Sequence, residues 1–171
     1  AIDFTGTSIL DVGCGLGDFA DFLLARQISF SSFHGIDAME LMITEAEQKS
    51  LPRCSFSIGN VVKQNDMLRG FDWITMSGTL NAMPQSVAME LVSNAFEAST
   101  TGIAYNFLSN QCKPNLNEDL KPASRFETQE MLQMAIVFHL AVLVLFKLGA
   151  FLVLTLIEID GGGNKISDLH G

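Results

Sequence analysis

Basic residues are scarce in this sequence. It has 10 Lys and Arg against 19 Asp and Glu, which gives a formal net charge of −9. The few cations are scattered along the chain and form no cluster. Binding to nucleic acid or to an anionic membrane surface needs a basic face that neutralises phosphates. The charge balance therefore predicts no nucleic-acid partner and no membrane partner.

Cysteine is also rare, and the three cysteines are Cys14, Cys54 and Cys112. An odd number of cysteines at these spacings fits neither a disulfide framework nor a zinc site. We therefore expect reduced thiols in a cytoplasmic protein, and we predict no metal site. The first residues do not combine a basic segment with a following apolar run, so no signal peptide is predicted.

A long uncharged apolar run is missing as well. The most apolar part of the chain is residues 131–159, and Lys147 interrupts it. Its longest stretch without Lys, Arg, Asp or Glu is residues 131–146. A membrane-spanning helix usually needs roughly 18 or more such residues. The sequence therefore predicts no membrane span.

What the sequence does contain is an alternation of short apolar runs and amphipathic segments. The 171 residues, 48% of them hydrophobic, are enough for one domain with a substantial core. The predicted strands are residues 7–12, 32–36, 56–58, 71–76, 103–108, 141–146 and 151–157. The predicted helices are residues 18–27, 39–49, 84–98 and 124–139, the last started by a capping box of Ser124 and Glu127.

This alternation predicts an α/β, Rossmann-like fold. We expect a mainly parallel sheet of seven strands with helices on both faces, closed by an antiparallel hairpin of residues 141–146 and 151–157. The domain is predicted to cover residues 1–160, and residues 161–171 to form a flexible tail. Ligands of such sheets bind in the crevice at the carboxyl ends of the strands.

The strongest functional signal is a glycine-rich turn after the first predicted strand. Residues 9–17 read Ile-Leu-Asp-Val-Gly-Cys-Gly-Leu-Gly, and a helix is predicted to begin directly after them. Glycine at 13, 15 and 17 lets the backbone turn sharply and lets a ligand come close. Twenty residues beyond Gly17, Asp37 ends the second predicted strand. A carboxylate at that place suits two ribose hydroxyls.

The charges around this turn bear on which nucleotide it binds. The dinucleotide pattern G-x-G-x-x-G requires glycine at position 18, where this chain has Asp18, and Asp11 lies just before the turn. Two carboxylates repel a diphosphate. They are compatible with S-adenosylmethionine (SAM), which carries a sulfonium and an ammonium and no phosphate. The turn therefore favours SAM over NAD.

With these motifs the sequence resembles the class I SAM-dependent methyltransferases. Residues 9–17 resemble the first motif of that superfamily, and residues 35–39 (Gly-Ile-Asp-Ala-Met) resemble the second. Residues 71–78 are similar to the segment around the fourth strand, and residues 102–109 to the fifth strand of uncharacterised bacterial members. The resemblance covers residues 8–158 and includes the terminal hairpin.

The resemblance implies SAM as the cofactor and a site built from the loops after the first four strands. The implied cofactor-binding residues are Asp11, Gly13, Cys14, Gly15, Asp37, Ala38, Met39, Asn60, Val61, Ser77 and Gly78. In the family the first loop lines the methionine moiety, the second holds the ribose and adenine, and the fourth forms the floor beneath the sulfonium. Asn60 stands where the family commonly has an acidic residue, and its amide oxygen would accept a weaker hydrogen bond from the adenine amine.

The function implied is methyl transfer from SAM to a small-molecule acceptor. No catalytic residue is assigned, because a general base is needed only when the acceptor must lose a proton. Two alternatives stay open: a SAM- or nucleotide-binding domain without catalysis, and an NAD(P)-dependent oxidoreductase, which Asp18 disfavours. Family members usually carry N-terminal helices over the pocket, whereas this sequence begins almost at its first strand, as a fragment would. The sequence indicates neither the acceptor nor the oligomeric state.

Overall fold

The computed structural model describes residues 2–111 and 123–136. The chain divides into two compact units, residues 1–128 and 129–171. All strands described below belong to the first unit. Of the second unit, residues 129–136 are described, and they are helical.

The first unit is built on five parallel strands in the order β3-β2-β1-β4-β5. They are β1 (Ser8–Val12), β2 (Ser32–Asp37), β3 (Cys54–Ile58), β4 (Trp73–Met76) and β5 (Gly102–Tyr105). Strand β1 lies between β2 and β4, so the chain moves outward first to one side and then to the other. The carboxyl ends of β1 and β4 therefore flank the topological switch point, where ligands of such sheets bind.

Three helices and two short 3-10 turns connect the strands. The helices are α1 (Asp18–Ala25), α2 (Glu40–Gln48) and α3 (Gln85–Ala98), and the 3-10 turns are Asn65–Leu68 and Leu80–Ala82. Helix α3 follows Pro84 and buries Ala88, Leu91, Val92 and Ala95, the apolar face that its sequence predicts.

Aromatic side chains form much of the core around β1. Phe30 and Phe33 are almost fully buried and lie in one cluster with Ile9 and Leu23. The ring of Phe4, which precedes β1, packs edge-on against the ring of Trp73 in β4 at a centroid distance of 5.7 Å. Burying each large side chain of this kind contributes about 1.5–3 kcal/mol. The cluster thus fixes β1, and with it the loop that leaves its carboxyl end.

The α/β, Rossmann-like architecture predicted from the sequence is confirmed, with five of the predicted strands among the described residues. Their bounds shift by one to three residues, as in β5, which ends at Tyr105 where the sequence predicts a strand to residue 108. The predicted hairpin, residues 141–146 and 151–157, and the tail, residues 161–171, lie outside the described residues. No helix in the described part of the chain is long and apolar enough to cross a bilayer.

The predicted start of the last helix is wrong. The helix begins at residue 128, four residues after Ser124. The backbone N–H of Ser124 donates to the carbonyl of Asn81 (2.8 Å), and that of Glu127 donates to Oε1 of Gln85 (2.8 Å). These two residues therefore pair with the segment around α3, and a capping box does not form.

Candidate functional site

A cavity of about 650 Å³ opens at the carboxyl ends of the first four strands. Its size is within the range of about 300–1,000 Å³ typical of small-molecule sites. Eight of the eleven predicted site residues line it: Gly13, Asp37, Ala38, Met39, Asn60, Val61, Ser77 and Gly78. The structure therefore brings together residues that are up to 65 positions apart in the sequence, from Gly13 to Gly78.

The glycine-rich turn has a backbone that few other residues could adopt. Gly13, Gly15 and Gly17 all have positive φ, at 70°, 54° and 74°. A Cβ on Gly13 would overlap the side chain of Thr79, and a Cβ on Gly17 would come within 2.8 Å of the Phe56 ring. Two of the three glycines are thus required by close packing as well as by conformation.

Asp37 links this turn to the loop after β2. Its Oδ2 accepts a hydrogen bond from the N–H of Gly15 (3.0 Å), and its Oδ1 accepts one from the N–H of Met39 (2.9 Å). A carboxylate has about four acceptor positions, so two bonds leave capacity for further donors. Because Asp37 lines the cavity, it presents a fixed carboxylate to a ligand.

Asp11, on β1 just before the turn, does not line the cavity, and neither do Cys14 and Gly15 within the turn. The carboxyl group of Asp11 is buried, 3% exposed, and accepts a hydrogen bond from the hydroxyl of Thr75 (2.7 Å). Burial raises the pKa of Asp11 to about 6; the hydrogen bond from Thr75 lowers it, and the charge of Asp37 adds to the rise. Burial also raises the pKa of the Cys14 thiol to about 12, so it stays protonated and is a poor nucleophile.

The far side of the cavity is formed by the loop after β3. The Oδ1 atom of Asn60 accepts a hydrogen bond from the N–H of Val62 (3.2 Å), which folds this loop into a local turn. The N–H of the preceding Gly59 donates to the carbonyl of Asp37 (2.9 Å). The amide oxygen expected to face an adenine thus already has a backbone partner.

The loop after β4 forms the opposite wall. The N–H of Gly78 donates to Oδ1 of Asn106 (2.7 Å), and Nδ2 of Asn106 donates to the hydroxyl of Ser77 (3.1 Å). The hydroxyl of Thr79 donates to the carbonyl of Val12 at the end of β1 (2.7 Å). This turn, residues 77–79, is therefore held by the end of β1 and by Asn106, the residue after β5.

Sequence analysis missed several of the lining residues. Thr79, Ala82, Met83, Val87 and Leu91 all contribute to the wall. The spacing of Val87 and Leu91 indicates that they share one face of α3. Periodicity cannot distinguish a helix face that packs only on the core from one that also borders a cavity.

The carboxylate of Asp18 does not face the cavity, where the sequence predicts it. Its side chain is 79% exposed and forms an ion pair with Lys49 (2.6 Å), and it does not line the cavity. Asp37 is the one charged side chain among the described residues that line the cavity. The electrostatic preference of the site therefore depends on Asp37, with Asp11 buried behind the turn.

Comparisons with known proteins agree with this geometry. The family model described as "Methyltransferase domain" matches residues 9–102, which is more than half of the chain. No curated protein matches the sequence.

Several solved structures share the fold. A magnesium protoporphyrin IX methyltransferase from Synechocystis PCC 6803, with bound SAH, is 17% identical with a TM-score of 0.65, over 80% of this chain and 65% of that one. A SAM-dependent methyltransferase from Archaeoglobus fulgidus is 17% identical with a TM-score of 0.61, over 80% and 62%. A TehB-like SAM-dependent methyltransferase from Corynebacterium glutamicum is 19% identical with a TM-score of 0.58, over 78% and 65%. The chain thus spans less than two thirds of the length of each.

Proposed function

Since the chain belongs to the methyltransferase-domain family, we propose that it transfers a methyl group from SAM to a small-molecule acceptor. Family membership confirms the resemblance to class I SAM-dependent methyltransferases that residues 9–17 and 35–39 carry. The acceptor remains unidentified.

The observation that carries the proposal is the pairing of the glycine-rich turn with Asp37 at one edge of the cavity. The Asp37 carboxylate is held by two backbone N–H groups and keeps capacity for two ribose hydroxyls. Gly13 lines the cavity close to the end of β1, where the methionine moiety would lie, and Met39 lies where an adenine ring would be flanked. We accordingly propose the eleven residues named from the sequence as the cofactor site, with Cys14 and Gly15 acting from within the turn and Asp11 from the strand just before it.

The charge of the cavity supports SAM over a dinucleotide. Among the described residues that line it there is one carboxylate, Asp37, and no Lys or Arg. A diphosphate would meet no compensating cation here, whereas the sulfonium and ammonium of SAM are attracted by a nearby carboxylate. This argument replaces the one from Asp18, whose carboxylate pairs with Lys49 at the surface.

SAM supplies an activated methyl group whose leaving group is neutral. The protein then has to orient the two reactants and exclude water. Ser77 and Gly78 would form the floor of the site, and the apolar side chains of Val87 and Leu91 would limit access of water. A group that removes a proton is required only if the acceptor has to lose one.

A small-molecule acceptor is favoured by two observations. The net charge of −9 and the lack of cations on the described cavity wall give no attraction for nucleic acid. One of the similar structures is, by its name, a methyltransferase of magnesium protoporphyrin IX, which is a small molecule.

The extent of the domain is part of the proposal. We propose a domain of residues 1–160 in which residues 141–146 and 151–157 complete the sheet to seven strands as an antiparallel hairpin, followed by a tail at 161–171. We also propose a cytoplasmic protein, because Cys14 and Cys54 are free thiols and the three cysteines of the sequence fit no disulfide framework.

Calorimetric titration tests the cofactor. We expect SAM and S-adenosylhomocysteine (SAH) to bind and NAD not to bind. Binding of NAD without either SAM species would contradict the proposal and favour an oxidoreductase.

A transfer assay tests the chemistry. Incubation with methyl-labelled SAM and a cell extract should place label in the small-molecule fraction. Label confined to RNA or protein would contradict the proposed acceptor class. Tight SAM binding without any transfer would instead favour a binding domain without catalysis.

A further inference from the structure

The Ser77–Thr79 turn forms the part of the cavity wall that follows β4. Ser77 and Gly78 are exposed, and Gly78 has a φ of 77°. A short exposed turn of this kind is mobile unless other elements hold it. This turn and the glycine-rich turn form adjacent parts of the cavity wall, because β1 and β4 are neighbouring strands, so their relative position shapes the cavity.

One hydroxyl joins these two parts of the wall. Oγ1 of Thr79 donates to the carbonyl of Val12, the last residue of β1, at 2.7 Å. Thr79 is half-buried, so this bond is less exposed to competing water than a surface bond would be. The side chain also lies so close to Gly13 that a Cβ there would overlap it. Thr79 thus contacts the glycine-rich turn through a hydrogen bond and through van der Waals packing.

We propose that Thr79 is a positioning residue for the cofactor, whose hydroxyl fixes the floor of the cavity to the end of β1. The inference rests on the proposed function. Without this bond, the carbonyl of Val12 loses a partner, and the side-chain hydrogen bonds that still hold residues 77–79 in the described part of the chain are those of Asn106, the residue after β5. The floor then adopts positions that do not fit the ligand. The free energy of binding is reduced by the cost of ordering the floor, and the affinity falls.

Two variants separate the hydroxyl from the shape of the side chain. Thr79→Val keeps the volume and removes the hydrogen bond, whereas Thr79→Ser keeps the hydroxyl. Thr7→Val is a matched control, because the hydroxyl of Thr7 also donates to a backbone carbonyl, that of Phe4 (2.8 Å), and is also half-buried. Thr7 precedes β1 at the end of the strand opposite the cavity.

The measurement is the Kd of SAH by calorimetry at a temperature where every variant is folded, with the melting temperature recorded alongside. We expect Thr79→Val to weaken SAH binding about tenfold, Thr79→Ser to stay within about threefold of the wild type, and Thr7→Val to bind as the wild type does. A purely structural role would lower the melting temperature of both valine variants and leave both affinities unchanged.

Wild-type affinity in Thr79→Val would overturn the inference, and so would equal weakening in Thr79→Val and Thr79→Ser. If Thr79→Val does not fold, Asn106→Ala removes the other side-chain hydrogen bonds to the same turn. We expect it to weaken SAH binding about threefold because its bonds are exposed, and unchanged affinity would count against the inference. Failure of the wild type to bind SAH would instead overturn the proposed function, and the inference with it.

Discussion

Two neighbouring walls of the cavity, one formed by β1 and β2 and the other by β4, are built in different ways. On the wall formed by β1 and β2, backbone N–H groups and the carboxylate of Asp37 hold one another, and glycines provide the turn. On the wall formed by β4, the hydrogen bonds are made by the side chains of Thr79 in the turn and of Asn106, the residue after β5. The first wall depends on glycines that cannot be replaced without strain and on the carboxylate of Asp37, while the second depends on the side-chain hydrogen bonds of Thr79 and Asn106. Substitutions on the first wall should therefore cost more than substitutions on the second.

The largest effect is expected at Gly13. Gly13→Ala places a Cβ at a φ of 70° and against the side chain of Thr79. We expect a loss of about 4 kcal/mol in the free energy of unfolding, from conformational strain and overpacking together, and loss of measurable SAH binding. Gly6→Ala is the control, since Gly6 has a φ of 72° but nothing within 4 Å of an added Cβ. Equal effects of the two substitutions on SAH binding would contradict the account of the first wall.

The next effect is a pH dependence of stability that comes from Asp11. Its folded-state pKa of about 6 lies above the ordinary value of 3.8, so the folded protein holds this proton more tightly than the unfolded chain. The resulting contribution to the free energy of unfolding is about 3 kcal/mol. It is fully present below about pH 4 and is lost as the pH rises through about 6. Asp11→Asn removes this dependence.

Urea denaturation from pH 4 to pH 7 measures this pH dependence of the free energy of unfolding. The difference in the free energy of unfolding between Asp11→Asn and the wild type should move in favour of the variant as the pH rises. Asp72→Asn is the control whose difference from the wild type should stay flat over this range, because the N–H of Ser8 lowers the pKa of Asp72 and its contribution to stability therefore changes only below about pH 4. Parallel pH profiles for the wild type and Asp11→Asn would rule out the buried carboxyl as the cause.

Asp37→Ala tests the carboxylate of the first wall. It removes the acceptor for two backbone N–H groups and for the ribose hydroxyls of the ligand. We expect SAM and SAH binding to weaken by about 1.5–3 kcal/mol while the fold remains. Asp72→Ala serves as the control, because Asp72 accepts from the N–H of Ser8 (2.8 Å) at the opposite end of β1. Unchanged SAH affinity in Asp37→Ala would remove this residue from the site.

The smallest effect is expected at Asp18. Its ion pair with Lys49 is exposed, and such pairs contribute about 0–1 kcal/mol. Asp18→Asn should leave SAH affinity unchanged and lower the melting temperature slightly, less so at high salt. A marked loss of SAH affinity would restore the carboxylate of Asp18 to the site and weaken the contrast with Asp37.

The difference between the two walls also explains what could be predicted from the sequence. The glycine-rich turn and Asp37 were predictable, because a sharp turn between a strand and a helix leaves a local pattern, and the spacing to the next strand end is nearly constant. Thr79 was not, since its role depends on a contact with Val12 that is 67 positions away. The helix predicted from Ser124 begins at residue 128 for a similar reason, because backbone groups before it pair with Asn81 and Gln85.

Asp18 shows the converse error. Its position in the motif suggested that it faces the ligand, but the helix that begins there turns its carboxylate toward Lys49 on the surface. A motif fixes the order of residues along the chain and does not fix which side chains point into the cavity.

The most direct test of the central claim is a crystal structure of the chain with SAH. We expect SAH in the cavity at the carboxyl ends of β1, β2, β3 and β4, with its ribose hydroxyls within hydrogen-bond distance of the Asp37 carboxylate and its sulfur above Ser77 and Gly78. SAH bound elsewhere, or a cavity left empty at saturating SAH, would contradict the account.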